Sequence, residues 1–397
     1  MNVVTSPTSR RVSSVETFIV TTPRATPYLG PLGPNEFINT SGYIVRQGNG
    51  TIYPTVDRSI VVRVCTSDGG VGWGETYGIC APRATCEIIN DLLAPVLIGR
   101  DPEQVESIWD DLYGLMRVRG CTGGFHVDAI AALDIALWDL KAKGRGLPLR
   151  QLLGTAQRET VPCYLSGLPA ATLAERAALA RDWQLAGVES FKFAAVVSHE
   201  GIVNEFSALR RVLGEEADIM VDLHWKFTAD EAVALAEELM PYRPKFLEAP
   251  VKPEDIAGLI EVCQRSPLPM AAGEEWSTLY EVQMRLPQAK LQFIQPEMGH
   301  TGITQFLRIA ARCAELGVSM VPHATIGTGI FLSASLHVSC VVENFWKHEW
   351  QHSIFDQSLK LLDTDMAYLN GQYIVPSAPG LGVAPNDNFW KHAELVK

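Results

Sequence analysis

The chain has 397 residues, 47% of them apolar, and a formal net charge of −12 with histidine neutral. That length exceeds one ordinary domain and leaves room for a barrel plus a second domain. The acidity excludes nucleic acid and an anionic membrane as partners, but not an anionic small molecule, because a bound cation and local lysines can reverse the field inside a site. Residues 1–12 read as a flexible tail without an apolar signal core, and no run is apolar for long enough to span a bilayer, so a cytoplasmic location is expected. The eight cysteines are scattered with no CxxC pair, the pattern of reduced thiols.

From 13 to 150 the pattern predicts an α+β capping domain. VETFIVTT, SIVVRVCTSDG and GVGWGETYG read as strands, with SDGG as a hairpin turn. Gly69, Gly70, Gly72 and Gly74 read as turn glycines, not a phosphate loop, because no helix opens after them. Between the first two strands lies TPYLGPLGPNEFINTSGYIVRQGNGTIYPT, too long for a plain connection and therefore a candidate lid. Tyr28, Tyr43, Tyr53 and Arg46 lie in it, and Tyr28, Tyr43 and Arg46 are candidate substrate-binding residues. DAIAALDIALWDLKAKG follows with apolar residues at helical spacing, and its Asp134 and Asp139 read as structural.

From Val161 apolar β-rich runs alternate with amphipathic helices. The expected strands are VPCYL, SFKFAA, DIMVDL, KFLEA, LPMAAG, LQFIQ, VSMVP and SCVVENFW. Thr172-x-x-Glu175, Thr228-x-x-Glu231 and Thr278-x-x-Glu281 mark helix starts as capping boxes. The fold class is therefore α/β: a modified (β/α)8 TIM barrel over 151–365 under the α+β N-terminal cap, with 366–397 packing back on the cap. Asp222, Glu248, Glu274, Glu297 and His323 stand at the ends of successive strands, where such a barrel places its active site. Three carboxylates converging there repel one another unless a cation joins them, so Asp222, Glu248 and Glu274 read as ligands of a divalent metal.

LDIALWDLKAKGRGLPLRQLLG resembles the segment leading into the barrel of the enolase superfamily, mandelate racemase-like branch. Asp222, Glu248 and Glu274 match that family's three metal ligands, His323 its seventh-strand histidine, and Glu297 the sixth-strand acid that orients the histidine. The resemblance implies Mg²⁺-assisted removal of a proton next to a carboxylate, and a homo-oligomer. Two departures stand out. Where many members carry Lys-x-Lys on the second strand, this chain has Lys192-Phe193-Ala194, and the sixth-strand acid is Glu297 instead of Asp. The third strand ends Asp222-Leu223-His224, which is similar to the galactonate dehydratase-like members with a second histidine there.

These residues take roles in that chemistry. A C–H next to a carboxylate is weakly acidic, and a cation on the carboxylate stabilises the charge that its loss creates. His323, oriented by Glu297, is the expected base at C2. His224 is the expected acid that protonates the leaving 3-hydroxyl. Lys192 is expected beside the substrate carboxylate. Glu349 matches the family's last acidic position, with Glu343 as its competitor. The expected activity is dehydration of a sugar acid to a 2-keto-3-deoxy acid. An epimerase or cycloisomerase using the same base and acid is the alternative within the family, and a non-catalytic binding barrel is the alternative outside it.

Overall fold

The computed structural model describes residues 10–24, 30, 32–324 and 326–397; Tyr28 lies outside them. Among the described residues, no helix is long and apolar enough to cross a membrane. Strands β1 (Val12–Pro23), β4 (Val56–Thr66) and β5 (Val71–Tyr77) form an antiparallel sheet, and the segment Ala393–Val396 near the chain's end adds to its edge beside β1. A small hairpin, β2 (Tyr43–Val45) with β3 (Ile52–Pro54), lies in the long loop between β1 and β4.

Helix α1 (Phe125–Gly144) packs across this sheet and is buried nearly all round. Its approach explains two glycines that sequence reasoning assigned to turns. Gly72 and Gly74 lie inside β5, where an added Cβ would meet Ala136 O at 2.2 Å and Ala132 O at 1.9 Å. They are needed for close backbone approach. Gly69, with φ 84°, is a turn glycine. Asp139 accepts the main-chain N–H groups of Trp73 and Leu381, so it ties α1 both to the sheet and to the far end of the chain.

The second layer is a parallel sheet. β6 (Thr160–Ser166), β7 (Ser190–Ala194), β8 (Asp218–Asp222), β9 (Leu247–Glu248), β10 (Met270–Ala272), β11 (Phe293–Ile294) and β12 (Ser319–Met320) follow in sequential neighbour order. Helix α2 (Met298–Glu315) connects β11 to β12, and α3 (Ile330–Val341) follows β12. The last strand, β13 (His348–Trp350), pairs with β6, while the adjoining Phe345 bridges to Met320 of β12. That side closes through an isolated bridge and not through a continuous ladder. SCVVENFW is thus not the eighth strand. Its first residues end α3 and the strand comes later, because an uninterrupted apolar run has no period to separate strand from buried helix.

Local signals do position the helices. Both arms of the capping box form at Thr172–Glu175 and Thr228–Glu231. At Thr278 only the hydroxyl arm forms, since the Glu281 carboxylate turns to Ser277. Inside the sheet, Tyr164, Met220, Phe246, Ala271 and Val321 make a separate buried layer. The candidate site residues Lys192, Glu248 and Glu349 are buried in the same interior. Phe191 and Phe193 of β7 join the outer core, so period-2 alternation turns Lys192 inward.

Candidate active site

The site's acids and histidines from β8 to β12 stand at or just past strand ends, while Lys192 and Glu349 stand inside β7 and β13. β8 ends at Asp222, and the chain then takes left-handed backbone at His224 (φ 51°) and Trp225 (φ 55°). Such conformations are strained for residues with a Cβ and concentrate at functional sites. The turn folds His224 back on Asp222: its N–H donates to Oδ1 at 2.8 Å and its Nε2 lies 3.0 Å from Oδ2. β9 ends at Glu248, followed by Ala249 at φ 47°. Glu274 comes just past β10 and Glu297 just past β11, where Glu297 caps α2 by accepting the Gly299 N–H.

His323 joins these groups. Its Nδ1 lies 2.8 Å from Glu297 Oε2, so the longer glutamate arm reaches the ring. Its Nε2 lies 3.6 Å from both Glu274 and Glu349. Burial alone would favour the neutral ring, but Glu274, Glu349 and Glu297 outweigh it and hold the His323 pKa well above its ordinary value. Opposite it, Lys192 Nζ is 2.7 Å from Glu248 and 3.1 Å from Glu349, with all three side chains almost fully buried. Burial opposes its charge, yet the two acids keep its pKa raised. Burial also works against Glu349, but Lys192 and His323 bring that carboxyl down to about 2. Glu349 is the eighth-strand acid: it accepts the Ala324 N–H at 3.1 Å, whereas Glu343 is exposed on the connection after α3.

The acids strain against one another. Burial raises Glu274 well above the ordinary carboxylate range, and Asp222 and Glu248 push it further while His323 opposes. Glu248, Glu274 and His323 offer ligand atoms all within 4.8 Å of one another. Asp222 stands beside this group with its carboxylate turned to His224. A dication fits the donor set. The carboxylate oxygens suit a hard cation, and positive charge among them would relieve the mutual repulsion and oppose the field that raises the His323 pKa.

The loop residues divide. Arg46 is buried in an ion pair with Glu36 at 2.5 Å and also reaches Gly30 O. The Tyr43 hydroxyl accepts the Ala81 N–H, with Arg58 over its ring. Both are engaged by groups of the cap. Tyr53, in the same loop, has its pKa raised by burial, and Glu274 and Asp222 add to the rise. Two groups escape sequence reasoning, one fully buried and one partly buried. Glu75 reaches from β5 to the start of α3, and His300, three residues after Glu297, pairs with Asp128. The E-x-x-H spacing was a signal for His300; nothing local marks Glu75.

Two family models match the chain. One, described as mandelate racemase / muconate lactonizing enzyme, N-terminal domain, matches residues 51–154, and one described as enolase C-terminal domain-like matches 175–389. D-galactonate dehydratase of Pectobacterium atrosepticum is 32% identical over 85% of this chain and 92% of its own length. D-galactarolactone cycloisomerase of Agrobacterium fabrum is 29% identical over 82% of this chain and 89% of its own. A solved structure from Sinorhizobium meliloti, provisionally named an isomerase, superposes with TM-score 0.95 at 52% identity over 97% of this chain and all of that one.

Proposed function

The chain belongs to the enolase superfamily, with the N-terminal domain of the mandelate racemase/muconate lactonizing enzymes, and from that premise we propose that it dehydrates a sugar acid, an aldonate or aldarate, to a 2-keto-3-deoxy acid with Mg²⁺. One observation carries the reading. Two histidines from opposite strands flank one cluster of carboxylates, His323 at 3.6 Å from Glu274 and His224 at 3.0 Å from Asp222. That is a base and an acid on either side of the place where a carboxylate would be held.

Asp222, Glu248 and Glu274 would hold the Mg²⁺. When bound there it supplies positive charge beside the substrate carboxylate, where negative charge builds as the neighbouring proton leaves. Lys192, fixed between Glu248 and Glu349, adds charge on the same side. His323, aimed by Glu297, takes the C2 proton on Nε2. His224 delivers a proton to the 3-hydroxyl, water departs, and the enol tautomerises to the ketone. On this reading the enzyme is a carbon–oxygen lyase.

The named isomerases support a second reading, cycloisomerisation or C2 epimerisation with the same base and acid. A panel of sugar acids, incubated with the protein and Mg²⁺ and developed with semicarbazide, separates the two. Keto-acid absorbance is the expected result. Deuterium entering C2 of recovered substrate without keto acid would replace dehydration by epimerisation. No turnover, together with no Mg²⁺ binding by calorimetry, would leave a binding barrel.

A further inference from the structure

One imidazole outside the roles just assigned stands at the seam between cap and barrel, held on several sides. His300 lies in the first turn of α2. Its Nδ1 is 2.7 Å from Asp128 Oδ1, and Asp128, in the first turn of α1, is 6% exposed. Tyr77, the last residue of β5, stacks on the ring with centroids 4.2 Å apart and planes 1° apart. The main chain is tied as well: His300 N–H donates to Glu297 O at 3.0 Å, and Thr76 Oγ donates to Gly299 O at 2.6 Å. Gly302 then breaks the helix with φ 63° and ψ 179°, so the cap, more than the helix behind, fixes this turn. The other ring nitrogen, Nε2, has no partner among the described residues, and 26% of the side chain is exposed.

That leaves an oriented ring with one open edge. With Nδ1–H given to Asp128, a neutral ring would offer Nε2 as an acceptor and a charged ring would offer it as a donor. Burial favours the neutral ring, but Asp128 and then Glu297 outweigh it and raise the pKa, while His323 opposes them. The loop's expected cation, Arg46, is closed off by Glu36 and Gly30. The turn itself follows directly on the residue that aims the base.

We propose that His300 binds substrate, its Nε2–H donating to an acceptor oxygen on the part of the sugar acid that extends from the reacting carbon toward the cap, with Asp128 as the residue that positions it. The inference rests on the sugar-acid reading above. The oxygen is a chain hydroxyl in an aldonate, or also the second carboxylate in an aldarate, and the test separates these.

Binding is measured apart from turnover. The full chain with MgCl₂, in a His323→Asn background, is titrated calorimetrically with galactonate and with galactarate, alone and after adding His300→Asn or Asp128→Asn. His300→Asn should weaken at least one acid about 10- to 100-fold, the range of a charge-assisted hydrogen bond, and leave Mg²⁺ binding unchanged. In the His323-intact enzyme the same change should raise KM more than it lowers kcat. Asp128→Asn keeps the shape but removes the charge, so its smaller loss should fall mainly on whichever acid His300 contacts. A loss confined to galactarate assigns the second carboxylate, and a loss shared by both assigns a hydroxyl. Unchanged Kd and KM in His300→Asn overturn the proposal, and should that variant not fold, unchanged values in Asp128→Asn do so. If the parent binds neither acid, the sugar-acid reading fails first and this inference goes with it.

Discussion

Lys192 shows how much a single side chain can carry. It lies between Glu248 and Glu349, and none of the three is more than 3% exposed. Removing one member of a buried ion pair strands the others without compensation, a loss of about 3–5 kcal/mol. Lys192→Met should therefore destabilise the metal-free protein by about that much in urea unfolding, and added Mg²⁺ should restore part of it. A midpoint like the wild type's would mean the acids are not held by this ammonium. The histidines make a different prediction. His323→Asn and His224→Asn should each lower kcat by about 10²–10⁴, the usual range for a positioned acid or base, while Mg²⁺ binding persists. Full activity in either removes that residue's role. The strand-end acids and histidines were legible in the sequence because each closes an apolar run. Lys192's inward aim was not, since it depends on which face Phe191 and Phe193 take, and register is a tertiary outcome. The choice of Glu349 over Glu343 was hidden for the same reason, as it turned on where the last strand begins.

Elements were legible where a local signal meets a period. Thr172 and Thr228 start helices as their capping boxes predict. The signal vanished in Ile330–Val341, whose residues are nearly all buried and give no polar face to set a period. The glycines of β5 were misread for a related reason: a glycine inside a strand looks like a turn residue until the helix crossing above it is known. Gly74 supports the sharper test. A methyl there would enter the Ala132 carbonyl at 1.9 Å, an atom of helix backbone that cannot rotate away. Gly74→Ala should cost at least about 1–3 kcal/mol, the range for overpacking, and should disturb α1, which carries Asp128 and Asp134. Urea unfolding followed by circular dichroism checks it, and a change within about 0.5 kcal/mol, typical of neutral surface sites, would show that the sheet and helix can part at this point.

Cap and barrel are joined by buried carboxylates that accept main-chain N–H groups across the seam. Glu75 of β5, fully buried, accepts from Ile330 at 2.9 Å and Phe331 at 3.0 Å and also from Thr328, so it caps α3 in place of the absent side-chain cap at Gly329. Asp134 of α1 does the same for Thr304 in α2, at 2.9 Å. Burial pushes both carboxyls up to about 7, against the N–H groups that lower them. The direction of linkage follows. A carboxyl whose folded pKa lies above its unfolded value binds its proton more tightly when folded. Its stabilising contribution is complete below the unfolded value, 4.5 for Glu75, and is lost as pH rises through about 7. Metal-free protein should therefore melt at a lower temperature at pH 8 than at pH 5.5. Glu75→Gln cannot titrate, so it should flatten that slope by up to about 1.4 kcal/mol per pH unit, the value of one proton. The loop that Glu75 anchors runs back to His323, whose next residue is tied to Glu349, so the variant should also expose residues 326–331 to faster amide exchange. An unaltered slope with unaltered exchange would mean that this carboxylate is not what docks the cap onto the loop that carries His323.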